Sequence, residues 1–502
     1  MTKTNVNKSI SEINERIKRG DAVVVTAEEM TDIVEEKGEV KAAKEIDVVT
    51  TGTFGAMCSS GAWLNFGHSD PPIKLNRAWL NDVEAYTSGA AVDAYIGATE
   101  LSETERMEYG GAHVIEDIIE GKEIELRGTA YGTDCYPRKE IETTLTKNDL
   151  NQAVLCNPRN AYQTYNAATN SRNETIHTYM GTLLPEFGNV TFSGAGELNP
   201  LTNDPNYETI GPGTRIFLGG AKGHIFWEGT QHNPKEGFGT IMTVGDLKEM
   251  SSEYIRGVTV RNYGVSLFVG VGIPIPVINE GVARSTGVSD EDITTNIVDY
   301  GIPRRDKPKI REVTYKELKS GQVNIKGDDK PVSPLSSLKK AKEISKVLKD
   351  WIKNEKFLLS EPIESLSRDR DFKPMKQTSA PPIAKDLMTA NVVTVRPEDS
   401  IESAAKVFAE KGFDHLPVVN EENKLVGIVT SWDVAVALGK GREKISEILT
   451  SKVITALEDE PADSIAQKLQ KHNISGVPVV NSKKQVRGIV TSEDLSQLIG
   501  GR

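Results

Sequence analysis

The chain has 502 residues, 37% of them hydrophobic and 26% charged, with a formal net charge of −12. That length exceeds one ordinary core, so two or three domains are expected. The negative balance argues against a nucleic-acid binder, which needs clustered Lys and Arg, and no apolar run is long enough to read as a membrane span.

The first residues, MTKTNVNKSISEINERIKRG, are polar and amphipathic and lack the apolar centre of a signal peptide. A cytoplasmic protein is the expectation. Strand-like apolar runs follow: DAVVVT (21–26), IDVVTTGTFG (46–55), VDAYIGAT (92–99) and VSLFVGVGIPIPV (265–277). They alternate with helical segments. Residues 1–360 are therefore expected to form one large N-terminal domain of the α/β or α+β class, built on a substantial sheet. Glycine clusters such as TGTFGAMCSSG mark loops where backbone comes close to a ligand. No nucleotide fingerprint fits. GGAKGH (219–224) lacks the Walker A spacing, and GVGIPIP lacks the third glycine of a dinucleotide turn.

The three cysteines, Cys58, Cys135 and Cys156, make no CxxC pair. They form no disulfide framework, and no CxxH or HExxH spacing supports a metal site. Cys135 lies in YGTDCYPRK, where Pro137 fixes a backbone angle and places the thiol on a turn or extended loop. Arg138 and Lys139 lower its pKa if they face it, and Asp134 works against them. Cys58 stands between a strand-like run and the small residues SSGAW, so a substrate or a second loop can approach. Cys156 continues the apolar run AVLC and reads as core filler. For each thiol, a structural role and a chemical role both stay open at this point. NPRNAYQTYN (157–166) is dense in amides and ring hydroxyls and suits a substrate-binding loop, with Arg159 as a bidentate carboxylate partner. Arg215, Lys222 and His224 flank glycines and read as solvated or structurally paired residues.

A helical stretch opens near residue 334, with its apolar positions on one face and lysines on the other. It is expected to pack on the large domain. A linker rich in charge, Pro and Ser follows over 361–382. Beyond it the sequence repeats itself. Asp386–Leu438 and Glu447–Ile499 align without a gap at a spacing of 61 residues, as in Thr389 with Thr450, Gly427 with Gly488 and Thr430 with Thr491. Each copy reads as a short strand, a helix, a strand, a turn, a strand and a helix.

The two copies, assigned to 383–440 and 444–502, resemble a tandem pair of CBS domains, a Bateman module. Both carry the MT/LT start, the PVV strand and the G-I-V-T-x-x-D finish. The resemblance implies an adenosine-containing ligand, such as S-adenosylmethionine, methylthioadenosine, AMP or ATP. Its ribose would be held by Thr430 with Asp433 and by Thr491 with Asp494. A carboxylate accepts from two adjacent hydroxyls, and a helix N-terminus favours an anion. Thr with Asp at this spacing is also a helix cap. CBS modules pair face to face, so a homodimer is expected.

The long blocks TFGAMCSSGAWLNFGHSDPP, GTDCYPRK, CNPRNAYQ, RIFLGGAKGHIFWEGTQHNP and GVGIPIPVINE, followed by a CBS pair, resemble the archaeal homocysteine biosynthesis family. Its members are L-aspartate semialdehyde sulfurtransferases. The resemblance makes 1–360 the catalytic domain and implies a persulfide on Cys135, with Cys58 as a resolving thiol. Arg159, Arg138 and Lys139 are the candidates for substrate binding. It further implies sulfide or another sulfur donor, a ferredoxin-like reductant protein and no tightly bound cofactor in the catalytic domain. Two other readings compete. One is a Cys-dependent aldehyde-oxidising enzyme with a CBS regulator, which needs a dinucleotide loop. The other is a non-catalytic adenylate sensor or scaffold, in which the thiols are dispensable.

Overall fold

A computed structural model describes residues 6–87, 89–370, 372–376 and 382–500. Residues 371 and 377–381 of the expected linker, and 501–502 of the second CBS copy, lie outside the described residues. The chain folds as two compact units: Met1–Gly301 with Pro308–Lys373, and Ile302–Lys307 with Pro374–Arg502. No helix among the described residues is long and apolar enough to cross a membrane.

The large unit is mixed α/β. At its centre lies a nine-stranded sheet running in the order Ile255–Val260, Gly264–Gly272, Arg215–Leu218, Ala221–Glu228, Ile241–Asp246, Gln152–Asn160, Gly61–Asn65 and Asp93–Gly97. The ninth strand, Thr53–Ala56, pairs off this path with Gly264–Gly272. The pairings along it are antiparallel. A six-stranded sheet carries the hairpin Ile124–Thr129 and Glu140–Leu145. A second six-stranded sheet sets Ala167–Thr169 parallel to Thr294–Asp299.

Helix Leu338–Lys353 shows why the sequence folds this way. Ser337 caps it, its hydroxyl accepting from Lys340 N. Ala341, Ile344, Ser345, Leu348 and Ile352 are its buried positions, one apolar face at helical spacing. On the other face Lys349 pairs with Glu29, and Lys340 pairs with Glu343 and Glu253. The buried face sits very close to the strands below. A Cβ on Gly52 would fall 2.1 Å from the Ala341 carbonyl oxygen, and one on Gly272 would fall 3.0 Å from Ile344 Cγ2. The expected packing of this helix on the large domain is what the structure shows.

Residues 361–370, read from sequence as linker, pack on the large unit. Ile363 N donates to Pro212 O, Leu366 is buried, and His232 bonds Ser367 O. Compositional polarity reported solvent exposure there. It did not report the few apolar anchors that hold the segment down.

In the smaller unit the repeat is exact in register. Helices start at Ile401 and Ala462, central strands at His415 and Gly476, second strands at Leu425 and Val486, and final helices at Ser431 and Ser492. The short first strands do not stay with their own copies. Thr389 pairs with Ile489 of the second copy, and Thr450 pairs with Ile428 of the first. Glycine is required where these strands cross: a Cβ on Gly488 would meet Thr389 O at 2.7 Å, and one on Gly427 would meet Leu449 Cδ1 at 2.7 Å.

The glycine floor beneath helix Leu338–Lys353 gives a direct test. Gly52→Ala forces a methyl into a backbone carbonyl and is expected to cost about 1–3 kcal/mol through overpacking. Gly97→Ala, with nothing within 4 Å of its Cβ, serves as the control. Thermal unfolding of both variants checks this; equal midpoints would remove the constraint.

Candidate functional site

Strand Thr53–Ala56 ends in a turn that carries Cys58. Met57 N donates to Leu267 O at 2.7 Å, and Ser60 N and Oγ both donate to Met57 O. These bonds fix Cys58 against the neighbouring strand, where its Sγ lies 3.1 Å from Ser266 Oγ. Ser266 is fully buried and Cys58 half-buried.

Cys58 lines a cavity of about 650 Å³. Its wall includes Arg159, Tyr162, Tyr165, Tyr179 and Tyr263. Arg159 reaches it from the end of strand Gln152–Asn160. Its backbone N donates to Asn157 Oδ1 at 3.1 Å, and its Nε donates to Thr230 Oγ1 at 3.2 Å. Among the described residues no carboxylate pairs with Arg159. A guanidinium on a cavity wall without an internal anion can take a carboxylate. Burial pushes the Tyr162 phenol above its usual range, and nearby Arg159 opposes that shift. Burial likewise raises Tyr263, with the Cys58 sulfur adding to it. These phenols stay neutral at pH 7 and can donate hydrogen bonds.

The tyrosines form a network. Tyr165 Oη lies 2.9 Å from Tyr179 Oη, which lies 2.7 Å from Tyr300 Oη. Tyr162 packs edge-on to Tyr165 at 4.7 Å between ring centroids. Burial drives Tyr165 and Tyr300 far above the ordinary phenol range.

Cys135 does not line this cavity. It is exposed, at the tip of the loop joining Ile124–Thr129 to Glu140–Leu145. Thr133 and Tyr136 exchange backbone hydrogen bonds around it, at 2.9 and 3.1 Å. Arg138 anchors the loop, its Nη2 donating to Asp70 O at 2.6 Å, while Tyr136 stacks on His68. The Lys139 stem lies over Gly132. All three cysteines are free thiols. Cys156 is half-buried, and burial pushes its thiol up.

The structure thus brings Cys58 and Arg159 together and leaves Cys135, Arg138 and Lys139 on an exposed hairpin. Arg215 is structurally engaged: its Nη1 donates to Leu358 O, and its backbone N donates to Ser360 Oγ. Lys222 and His224 are exposed strand residues outside the cavity wall. Sequence reasoning singled out 157–166, which supplies Tyr162 and Tyr165. It missed Ser266, Tyr179, Tyr263 and Tyr300, which lie in three separate segments with no local signal.

In the smaller unit Thr430 caps helix Ser431–Gly439. Asp433 Oδ2 accepts from Thr430 N at 2.9 Å and from Thr430 Oγ1 at 2.7 Å. Asp494 Oδ2 does the same for Thr491, at 2.7 and 2.8 Å. Both pairs are therefore reciprocal helix caps. The Oδ1 atoms of Asp433 and Asp494 take no hydrogen bond among the described residues.

Comparison with known proteins places both parts of the chain in known families. The model of a family described as "Homocysteine biosynthesis enzyme, sulfur-incorporation" matches residues 22–359, and the CBS domain model matches 384–440 and 445–501. A protein of Methanosarcina acetivorans named L-aspartate semialdehyde sulfurtransferase is 53% identical, with 99% of this chain and 100% of that protein covered. One of the same name from Methanocaldococcus jannaschii is 56% identical over 99% of this chain and all of its own length. A solved CBS domain pair, crystallised with 5′-methylthioadenosine and S-adenosyl-L-methionine, is 50% identical. It covers 24% of this chain and 98% of its own, with a TM-score of 0.24. With its first 360 residues matched almost throughout and its full length shared with such relatives, the chain belongs to the homocysteine biosynthesis, sulfur-incorporation enzyme family.

Proposed function

We propose that the protein forms L-homocysteine from L-aspartate semialdehyde, using a cysteine persulfide on Cys135 and Cys58 as the resolving thiol. The observation that carries this reading is the shared cavity of Cys58 and Arg159, a thiol and a guanidinium with no carboxylate partner among the described residues. Full-length relatives named L-aspartate semialdehyde sulfurtransferase support it.

The stoichiometry sets the steps. One aldehyde and one hydrogen sulfide take up two electrons and two protons to give one thiol and one water. Sulfide opens a Cys58–Cys135 disulfide by attack on the Cys135 sulfur, leaving a persulfide on Cys135 and a thiolate on Cys58. The cycle later restores this disulfide, so an oxidant is needed only for its first formation from the two free thiols. The terminal persulfide sulfur attacks the aldehyde carbon and forms a hydroxyalkyl disulfide on Cys135. The Cys58 thiolate then attacks the Cys135 sulfur. That expels the hydroxythiol and restores the disulfide. Loss of water leaves a carbon–sulfur double bond, and an external reductant supplies the two electrons that saturate it. A ferredoxin-like protein is the proposed donor, since three dispersed cysteines cannot hold an iron–sulfur cluster.

The exposed Cys135 is open to a sulfur donor. Exchange with Cys58 needs Cα atoms within about 4.4–6.8 Å, so the 131–138 loop must carry Cys135 to the cavity. The placement of Cys58 favours a second division of labour, in which Cys135 collects sulfur and passes it to Cys58, whose persulfide attacks the aldehyde. Mass spectrometry of quenched single turnovers separates the two: the aldehyde adduct is found on the Cys135 peptide in the first case and on the Cys58 peptide in the second.

For the CBS pair we propose an adenosine ligand, with its ribose hydroxyls on the free Oδ1 of Asp433 or Asp494 and feedback from an adenosine-bearing product of methionine metabolism. A homodimer formed through these modules is part of the same reading.

Three outcomes are expected. Cys135→Ser abolishes both homocysteine formation and protein-bound sulfane sulfur, whereas Cys58→Ala, with no disulfide for sulfide to open, takes up sulfane sulfur only from a persulfide donor and then stalls; normal homocysteine synthesis by Cys135→Ser sinks the assignment. Arg159→Ala raises KM for the aldehyde roughly 10- to 100-fold, the worth of a charged bidentate hydrogen bond, while sulfane-sulfur loading stays unchanged. Calorimetric titration with S-adenosylmethionine, methylthioadenosine, AMP and ATP gives binding heat for at least one, lost in an Asp433→Asn, Asp494→Asn double variant. No heat from any of the four removes the sensor.

A further inference from the structure

The cavity tyrosines are not equivalent. Tyr165 stands just before strand Ala167–Thr169, and Tyr300 stands just after strand Thr294–Asp299. The two strands are parallel neighbours, and Tyr300 N bonds back to Thr169 O at 2.9 Å. Tyr179 comes from the tight turn between Ile176–Thr178 and Gly181–Leu183. It is the hub, with Tyr165 Oη at 2.9 Å and Tyr300 Oη at 2.7 Å. It is also the most exposed of the three, at 38%, and it lines the cavity that holds Cys58.

Each phenol carries one hydrogen. When Tyr165 and Tyr300 both donate inward, both lone pairs of Tyr179 Oη are used and its own hydrogen is left for the cavity. A phenolate formed at Tyr179 is then held by two hydrogen bonds. Burial keeps the two outer phenols protonated across the working pH range.

We propose that Tyr179 is a catalytic residue, the proton donor to the aldehyde oxygen, with Tyr165 and Tyr300 as positioning residues that hold the resulting phenolate. This deepens the sulfurtransferase reading and rests on it. In the step assigned to Tyr179, a sulfur lone pair forms the C–S bond and the carbonyl π pair moves onto oxygen. The Tyr179 O–H bond breaks as that oxygen takes the proton. The phenolate regains a proton from solvent before the next turnover. No electrons are gained or lost. The donor meets charge that exists only after attack, which is where a preorganised hydrogen bond lowers a barrier most.

The test is Tyr179→Phe in the full chain, with homocysteine formation, KM for aspartate semialdehyde and sulfane-sulfur loading measured together. The expected result is a kcat lower by about 10²–10³, the usual cost of losing one oxyanion donor, with KM and sulfur loading within threefold of wild type. Tyr300→Phe removes one of the two bonds to the phenolate and is expected to lower kcat about tenfold; it carries the test if Tyr179→Phe fails to fold. A Tyr179→Phe enzyme with kcat within threefold of wild type overturns the proposal. So does a loss shared equally by kcat, KM and sulfur loading, which marks a structural role. Homocysteine made by wild type and undiminished in Tyr179→Phe removes the phenol assignment alone; homocysteine made by neither removes the sulfurtransferase reading and the phenol assignment with it.

Discussion

The close approach of helix Leu338–Lys353 to a glycine-lined strand pair governs the large unit. The Ala341 carbonyl occupies the space where Gly52 would carry a side chain, and Ile344 presses on Gly270 and Gly272. Those glycines bracket two strands, Thr53–Ala56 and Gly264–Gly272, whose register runs from Thr53 opposite Val271 to Ala56 opposite Phe268. Continued past its last pair, that register brings Cys58 to Ser266. The Cys58 thiol is therefore placed by a packing constraint that lies outside the cavity. Because side-chain period in a strand is two residues, a slip of one would turn Ser266 to the other face.

The placement of the thiols fits what sulfur transfer demands. A carrier must be reachable by a donor, and Cys135 is exposed on a hairpin tip anchored by Arg138 and Tyr136. On the proposed reading a thiocarbonyl intermediate would need keeping from water, and it would form at the phenol-lined cavity around Cys58. One cysteine cannot satisfy both demands. Cys156 satisfies neither: it is half-buried in mid-strand with its thiol pushed up by burial.

The sequence made some of this legible because the signals were local. The 61-residue repeat predicted the two long helices and the central strand of each CBS copy, since hydrophobic periodicity is a property of neighbouring residues. It did not predict that Thr389 and Thr450 would exchange copies, because periodicity says nothing about which strand a strand will pair with. Cys58 and Arg159 stood out through small residues and a dense polar loop. Tyr179, Tyr263 and Tyr300 did not, because only the fold brings Tyr179 and Tyr263 to one cavity wall and Tyr300 to within a hydrogen bond of Tyr179. Cations next to Cys135 in sequence suggested a tuned thiol. In the fold Arg138 instead spends its guanidinium on the Asp70 carbonyl, a contact with a residue 68 positions away.

The CBS caps show how one motif can serve structure and ligand at once. A Thr-x-x-Asp pair that spent both carboxylate oxygens on the helix N-terminus would have to break its cap to bind a ribose. Here both cap bonds converge on Oδ2, in Asp433 and in Asp494 alike. Oδ1 can accept from a hydroxyl while the helix start stays satisfied, so ligand binding adds to the cap and does not compete with it. Thr430 and Thr491 also end the strands that the exchanged segments cross: Thr450 pairs at Ile428, and Thr389 pairs at Ile489. On the proposed reading a ligand at one cap would lie at the end of a strand that pairs with the other copy. Two sites joined through shared strands are the physical requirement for reading out their occupancy together.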